Sequence, residues 1–468
     1  MREGSLQAPT RHPVDWQNPD FYDEVKLDAE LRRVFDICHG CRRCFNLCDS
    51  FPRLFTLIDE TPSGELSDVP SENFAPVVDA CTLCDMCYMT KCPYVPPHEF
   101  NLDFPHLMLR YRAVAAQKGL VPKFDQELTK TDRNGKALRF VAAIVNWASS
   151  TRNTLTRTLL ELAGNIHPKA HLPTYAWRTL VGRSKKEILN INTAAPAYGK
   201  RKAIFYATCT MNYNDPELGM IARKVLAKNG VPTEVVYPAC CGMPQLEQGN
   251  IEAVVENARK VAKEMEVWVN EGYDIVALVP SCALMLKLEW PLLVPQTDPA
   301  YAAIKKLAKA TFDLTEYVVD IATRHGLAPG LKPLAGAVAL HIACHARAQN
   351  MGAKAADMLK LLPQSDDITI IERCSGHGGS WGIKKDHFEV ALKIGKPTAQ
   401  KATEVLERAA EKDVPAFIAS ECPLAAAHIV QGIEQLGFVP PKGERLSSHP
   451  LEIFAMSYGI TRKTYGKK

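Results

Sequence analysis

Eight of the chain's fifteen cysteines fall into two tight runs before residue 93, and no other feature restricts its folding more. Cys38, Cys41, Cys44 and Cys48 follow C-x2-C-x2-C-x3-C, and Cys81, Cys84, Cys87 and Cys92 follow C-x2-C-x2-C-x4-C-P. Each run matches a 4Fe-4S binding motif. Two residues between cysteines let three thiolates of one loop reach three corners of a cube, while the fourth must come from further off. In two-cluster ferredoxins the fourth cysteine of a run ligates the other cluster. That pattern predicts one cluster on Cys38, Cys41, Cys44 and Cys92 and another on Cys81, Cys84, Cys87 and Cys48. Zinc also uses C-x2-C pairs, but it takes four ligands per ion and rarely uses triplets. Asp49 stands where a proline often follows the fourth cysteine, and the second run is one residue longer than usual. These two departures leave open which cysteine serves which cluster.

The remaining composition narrows the class. A length of 468 residues predicts two or three domains. The net charge of +4 is small, and no run of Lys and Arg is interleaved with aromatics, so nucleic acid is set aside as a partner. The opening MREGSLQAPTRHPVDW has acids and prolines where a secretory signal would place an apolar core, which predicts a cytoplasmic chain. Its longest clean apolar stretch, Phe140 to Val145, is far short of the roughly 20 residues that cross a bilayer, so any membrane contact is peripheral. An odd number of cysteines in a reducing compartment favours metal or redox chemistry over disulfides.

The pattern divides the chain into a cysteine-rich head (residues 1–125), a helical linker (126–199), and two similar halves (200–333 and 334–468). In the head, a helix is expected around Leu102 to Gln117. In the linker, Val141, Val145, Ala148, Leu155, Leu159 and Leu162 recur at helical spacing with Arg139, Arg152 and Arg157 nearby. Such an amphipathic stretch (137–163) fits a membrane or partner face with Trp147 near the headgroups, although a stripe of this kind more often belongs to an ordinary helix facing a core.

From Lys200 short β-prone runs alternate with helical segments, the signature of a parallel sheet built from βαβ units. Ala203 to Thr208 leads to Cys209, Thr233 to Tyr237 leads to Cys240 and Cys241, and Ile275 to Val279 leads to Cys282. Asp215 to Lys228 and Ile251 to Val269 read as the intervening helices. The arrangement then repeats: Ala337 to Ile342 leads to Cys344, Ile368 to Glu372 to Cys374, and Val414 to Ala419 to Cys422. Open parallel sheets bind ligands outside the carboxyl ends of their strands, where these seven cysteines would gather. Vicinal Cys240 and Cys241 before Gly242 suit a multinuclear cluster better than a packed core. The second half is degenerate, reading Cys374, Ser375, Gly376 where the pair should recur. His341, His345 and His377 lie close enough in sequence to complete a metal site with Cys344, Cys374 and Cys422, although each is more often a hydrogen-bonded loop residue.

The segments ATCTMNYNDPELG at Ala207, CCGMPQLEQG at Cys240, VPSCALM at Val279, HIACHARAQNMG at His341 and ERCSGHGGSWG at Glu372 resemble the C-subunit family of anaerobic glycerol-3-phosphate dehydrogenases. More broadly they resemble the cysteine-rich CCG domains of heterodisulfide reductase B-subunits and of lactate and glycolate oxidase iron-sulfur subunits. The architecture then expected is an α+β, ferredoxin-like two-cluster head, mostly helical, followed by an α/β duplicated CCG domain with parallel sheet. The resemblance implies a peripheral subunit on the inner face of the cell membrane that takes electrons from a separate flavoprotein and delivers them to the quinone pool. It also implies that Cys209, Cys240, Cys241 and Cys282 hold a further cluster. Full CCG modules end in C-x2-C; here Val279 and Ala419 replace the first of those cysteines, which argues against a five-cysteine non-cubane cluster.

No G-x-G-x-x-G follows a predicted strand, so flavin or nicotinamide chemistry belongs to another polypeptide. The leading expectation is an electron-transfer component of an oxidoreductase complex. The alternatives are a thiol/disulfide or peroxide-linked reductase component and a zinc-stabilised scaffold without redox function. Ligand supply predicts about 12 iron atoms per chain, from two 4Fe-4S clusters in the head and one in the first half.

Overall fold

The computed structural model describes residues 9–333, 336–365, 367–438 and 447–462. Residues 1–8 of the leader, and the 334 boundary between the halves, lie outside the described residues.

The regular structure of the head is all helical, with no strand among its described residues, which corrects the α+β expectation for it. Helix α1 (Glu24–Cys41) starts where the Asp23 side chain accepts the Lys26 N–H at 2.9 Å. It buries Leu27, Leu31, Val34 and Phe35, one face of a 3.6-residue period. It stops at Arg42, whose left-handed φ of 52° turns its N–H back to the Cys38 carbonyl. Cys38 and Cys41 therefore sit in the last turn of a helix. Helix α2 (Ser50–Asp59) begins two residues after Cys48 and is pinned by the buried Ser50 hydroxyl, which donates to the Val77 carbonyl at 2.7 Å. Helix α3 (Phe104–Gln117) begins two residues later than the sequence pattern suggests, because Asp103 caps it.

The linker holds α4 (Thr131–Leu138), α5 (Ala142–Ser149) and α6 (Thr154–Gly164). The amphipathic stretch is thus broken rather than continuous, and most of its apolar stripe faces solvent. Leu162 is 79% exposed, Leu155 74%, Ile144 65% and Trp147 64%, which corrects the core-facing alternative. Arg157 is buried, and its guanidinium donates to the carbonyls of Pro168, His167 and Ala170 and so knits the linker together. No helix among the described residues is long and apolar enough to cross a membrane.

Two four-stranded parallel sheets follow. The first contains β1 (Ala203–Tyr206), β2 (Thr233–Val236), β3 (Asp274–Ala277) and β4 (Thr311–Asp313), with α7 (Pro216–Lys228) and α8 (Ile251–Asn270) as its first two crossovers. The second contains β5 (Ala337–His341), β6 (Ile368–Ile371), β7 (Ala416–Ser420) and β8 (Ser447–Ser448), with α9 (Phe388–Glu411) crossing between β6 and β7 and α10 (Pro423–Gln435) between β7 and β8. Their orders, β2-β1-β3-β4 and β6-β5-β7-β8, are the same permutation. The internal strands β1 and β5 are buried along their whole length, as the middle of a doubly covered parallel sheet requires. The sequence pattern shows three strands per half; the fourth strands are three and two residues long, too short to carry an alternation.

The head does not swing free of the halves. The Arg11 guanidinium, 12% exposed, bonds Asp85 at 2.8 Å, Asp103 at 2.7 Å and Glu289 at 2.9 Å, joining the leader, the head and the first half. Arg112 on α3 donates to the Glu247 and Val78 carbonyls. Breaking a buried ion-pair network of this kind by removing one partner typically costs about 3–5 kcal/mol.

Candidate functional site

All fifteen cysteines are free thiols, and the eight of the head fall into two neighbourhoods. Cys38 has Cys92, Cys44 and Cys41 as its charged neighbours. These four line a recess with Phe51, Phe55, Tyr94 and Leu102. Cys87 has Cys84, Cys81 and Cys48 as its nearest charged neighbours, then Cys44 of the other group. Cys48 sits just before the start of α2, with Cys84 and Cys81 of the second run as its thiol neighbours, and Cys92 directly follows a one-turn π-helical segment, Cys87–Lys91. Burial pushes the Cys44 thiol up to about 12 and the Cys92 thiol to about 11, so each needs a cationic partner to ionise.

Backbone N–H groups point at these sulfurs. Ser50 and Phe51, at the start of α2, donate to Cys48; Leu83 donates to Cys81, Met86 to Cys84, and Tyr94 and Val95 to Cys92. Such donors favour thiolate over thiol and tune a cluster's potential. The loop that delivers Cys84 is strained, with Leu83 at φ 48° and Asp85 at φ 62° on either side of it.

In the first half Cys209, Cys240, Cys241 and Cys282 lie in one chain of side-chain contacts, Cys209 to Cys240, Cys240 to Cys241, and Cys241 to Cys282. Strand β1 ends earlier than the sequence pattern suggests. Thr208, a β-branched residue at φ 58°, makes the turn that presents Cys209, and its hydroxyl caps the next helix by accepting the Met211 N–H. Gly242, at φ 90°, allows the sharp turn after the vicinal pair. The floor is fixed by Tyr206, whose hydroxyl donates to the Ala239 carbonyl at 2.7 Å, and by Trp290, whose indole N–H donates to the Cys241 carbonyl at 2.9 Å. Hydrogen bonding to Cys240 and then burial push the Cys209 thiol well above its ordinary range.

Sequence reasoning missed a contribution from the linker. The start of α4 covers this site: Asp132 accepts the Cys240 N–H at 2.9 Å and the Tyr237 hydroxyl, and Thr131 lies beside the Cys209 and Cys240 thiols. No sequence signal links Asp132 to a residue more than a hundred positions on.

In the second half Cys344 has Cys374 and Cys422 among its charged neighbours, so these three also converge. The candidate histidines are otherwise engaged. His341 bonds the Ser420 hydroxyl at 2.9 Å and the Arg373 carbonyl at 3.0 Å, and burial holds it at about 4. His345 bonds the Ser281 hydroxyl at 2.8 Å and the Leu83 carbonyl at 3.3 Å. His377 accepts the Gly379 N–H, and burial holds it at about 3. A carboxylate that the sequence pattern does not single out, Glu247, is the further charged neighbour of Cys422 after Glu421; burial raises it to about 7, and the Ser380 N–H donates to it.

Among the described residues no group of three or more His, Cys, Asp or Glu side chains is arranged to hold one metal ion. Four thiols around a recess, with backbone donors to Cys92, match the donor set of an iron-sulfur cube.

Comparison with known proteins places this geometry. Residues 203–287 match the family model of the cysteine-rich CCG domain. The chain is 25% identical over 289 residues to the C-subunit of anaerobic glycerol-3-phosphate dehydrogenase of Escherichia coli, a match covering 59% of this chain and 67% of that protein. It is 29% identical over 192 residues to lactate utilization protein A of Bacillus cytotoxicus, covering 39% of this chain and 75% of the relative. It is 25% identical over 259 residues to the B-subunit of fumarate reductase (CoM/CoB) of Methanothermobacter marburgensis, covering 54% and 46% respectively.

Proposed function

Because residues 203–287 are a cysteine-rich CCG domain, we propose that this chain is the iron-sulfur electron-transfer subunit of an oxidoreductase complex. The head holds two 4Fe-4S clusters, one on Cys38, Cys41, Cys44 and Cys92 and one on Cys48, Cys81, Cys84 and Cys87. Cys209, Cys240, Cys241 and Cys282 hold a third cluster. The observation that carries the reading is the grouping of the head thiols into two fours with backbone N–H groups aimed at their sulfurs. Each cluster supplies one-electron storage when bound. The protein's part is to exclude water, supply the thiolates and bias their charge through those donors. Assembly releases the protons that burial keeps on the thiols.

Electrons enter from a separate flavoprotein and leave to the quinone pool at a membrane surface. Two of the relatives are named as subunits of a dehydrogenase and of a reductase, which supports a multi-subunit setting. The exposed apolar residues of α5 and α6 support a peripheral membrane face. Between Leu138 and Lys186 the one acidic residue is Glu161, against Arg139, Arg152, Lys169, Arg178, Lys185 and Lys186 besides the buried Arg157 and the Arg183 that pairs with Glu217, a balance suited to anionic headgroups.

Anaerobic purification with iron, sulfide and EPR analysis tests the cluster reading. At least about 12 iron atoms per chain are expected, with a loss of about 4 in Cys84→Ser. A colourless protein carrying zinc would overturn it. Sedimentation with anionic vesicles tests the membrane face: Ile144→Glu with Trp147→Glu is expected to abolish binding while leaving the visible spectrum unchanged, and retained binding would remove that part.

A further inference from the structure

The leader segment, residues 9–16, runs along the seam between the head and the first half and is tied to both. On the head side the Thr10 N–H donates to the Pro96 carbonyl at 3.1 Å, and the Tyr88 hydroxyl donates to the Thr10 carbonyl at 2.8 Å. On the other side the Val14 N–H donates to the Leu292 carbonyl at 2.8 Å and the Trp16 indole N–H to the Leu293 carbonyl at 2.7 Å. Arg11 sits between these ties, its guanidinium 4.6 Å from the centre of the Tyr88 ring. All five of its N–H donors are used. Nε and Nη2 fork onto Asp103 at 2.7 and 3.0 Å, Nη1 and Nη2 fork onto Asp85 at 3.0 and 2.8 Å, and Nη1 also donates to Glu289 at 2.9 Å.

The position of Asp85 distinguishes this clamp from an ordinary one. Asp85 directly follows Cys84 in the run Cys84-Asp85-Met86-Cys87, is 5% exposed and has φ 62°. A non-glycine residue keeps a left-handed conformation where its surroundings over-determine it. Here the fork from Arg11 fixes the carboxylate, and the Asp85 carbonyl accepts the Met89 N–H at 2.8 Å, so side chain and backbone are both held. The next residue, Met86, donates its N–H to the Cys84 sulfur. Displacing Asp85 therefore displaces a donor to a thiol ligand. Asp85 also lines, with Leu83, His106, Met243, Leu284 and Glu289, the small recess where the Cys84 loop meets the first half. The apolar members of that seam keep screening low, so a fixed charge acts on the loop more strongly than it would at the surface. The guanidinium is such a charge, because it stays protonated at every accessible pH.

We propose that Arg11 is the positioning residue of the head cluster on Cys48, Cys81, Cys84 and Cys87: through Asp85 it sets the loop that presents Cys84, and its positive charge holds that cluster's reduction potential up. Reduction adds one electron, and so one negative charge, to the cluster. A cation nearby stabilises the reduced form and a carboxylate opposes it. Asp85, Asp103 and Glu289 set three carboxylates around this one guanidinium, with His106 beside Asp103 and Glu289. Without Arg11 the negative charge at the Cys84 loop would be largely unopposed. Because Glu289 belongs to the first half, this balance exists only with the head docked, which links the cluster's potential to assembly of the chain. The inference rests on the proposed cluster assignment.

The test is an anaerobic redox titration of the full chain with dithionite, followed by EPR and accompanied by iron analysis. Arg11→Gln removes the charge and is expected to lower the midpoint potential of one head cluster, while iron per chain and the midpoint of the other head cluster stay as in wild type. Asp85→Asn removes a negative charge at the same place and is expected to raise the same midpoint. Arg11→Lys keeps the charge without the fork, so it is expected to recover most of the potential while the EPR line shape of that cluster stays altered. A role confined to packing would move Arg11→Gln and Asp85→Asn in the same direction. Shifts of the same sign, an unshifted midpoint in Arg11→Gln at full iron content, or a midpoint in Arg11→Lys equal to that of Arg11→Gln would overturn the proposal. Should Arg11→Gln fail to fold, Asp85→Asn decides alone, and an unchanged or lowered midpoint overturns it. Failure of the cluster assignment looks different, because wild type itself would then show no iron-sulfur EPR signal.

Discussion

In the first half of the duplicated domain four thiols lie in one chain of side-chain contacts, whereas in the second half three thiols converge and each receives at least one backbone N–H donor. The two sheets share one strand order, so the scaffold is not the cause. The difference lies in the loops. Cys240–Cys241–Gly242 packs two sulfurs into one turn, while Cys374–Ser375–Gly376 keeps one and turns an amide toward it. The covers differ as well: Thr131 and Asp132 of the linker close the first site, while the head loop around Cys84 and the Glu247 carboxylate face the second. A duplicated fold thus delivers ligands to the same place by topology, and the loop and the neighbouring element decide what they bind.

The largest effect that separates the halves is expected from Cys241→Ser. It should lower iron by about 4 per chain while the EPR of the head clusters persists, because a hydroxyl ligates iron poorly near neutral pH. An unchanged count would make the first-half thiols structural.

Acid is expected to loosen the second half before the first. Burial holds His341 and His428 at about 4, below the roughly 6.5 of an unfolded histidine. Between these values the unfolded chain binds more protons than the native one. The stabilisation is therefore complete above pH ~6.5 and is lost as pH falls toward 4, on the order of 3 kcal/mol per histidine. The first half, residues 200–333, has a single histidine, His325, and it is not buried. Hydrogen exchange at pH 5 should show the amides of β5 and α10 opening ahead of those of β1 and α7; the reverse order would contradict the assignment.

Equivalent glycines sharpen the contrast further. Gly376 has φ 82°, and a Cβ there would lie 1.9 Å from the Ala391 carbonyl oxygen, a backbone atom that cannot step aside. Gly242 has φ 90°, with a Val254 methyl at 3.1 Å that can give. Gly376→Ala is expected to cost about 3 kcal/mol or more and Gly242→Ala about 1–2 kcal/mol in denaturant unfolding. Equal costs would mean that the two turns are not held differently.

The smallest effect is expected at the linker cover. Asp132→Asn replaces one acceptor by a donor opposite either the Cys240 N–H or the Tyr237 hydroxyl, at a cost of about 1–2 kcal/mol. The first-half site should become easier to strip with a chelator, and the second half should not change. Equal loosening of both would show that α4 acts on the whole domain.

Much of this molecule is written locally in its sequence. Cysteine spacing singles out the thiols, because three sulfurs on one short loop have few other uses. Asp23, Asp103 and Asp215 mark helix starts, since each side chain accepts an N–H of the first turn that would otherwise lack a partner. The apolar runs at Ala203 and Ala337 announce strands because a doubly covered parallel strand has no polar face. What the sequence could not say concerns contacts between distant segments. The stripe through Val141, Leu155 and Leu162 has the same period whether it meets a core or solvent, and only packing left it exposed. Asp132 above Cys240, Glu247 beside Cys422 and His345 between Leu83 and Ser281 join residues that share no motif. Local chemistry names the ligands, but the relative position of two sheets and a head depends on long-range packing, which no window of sequence contains.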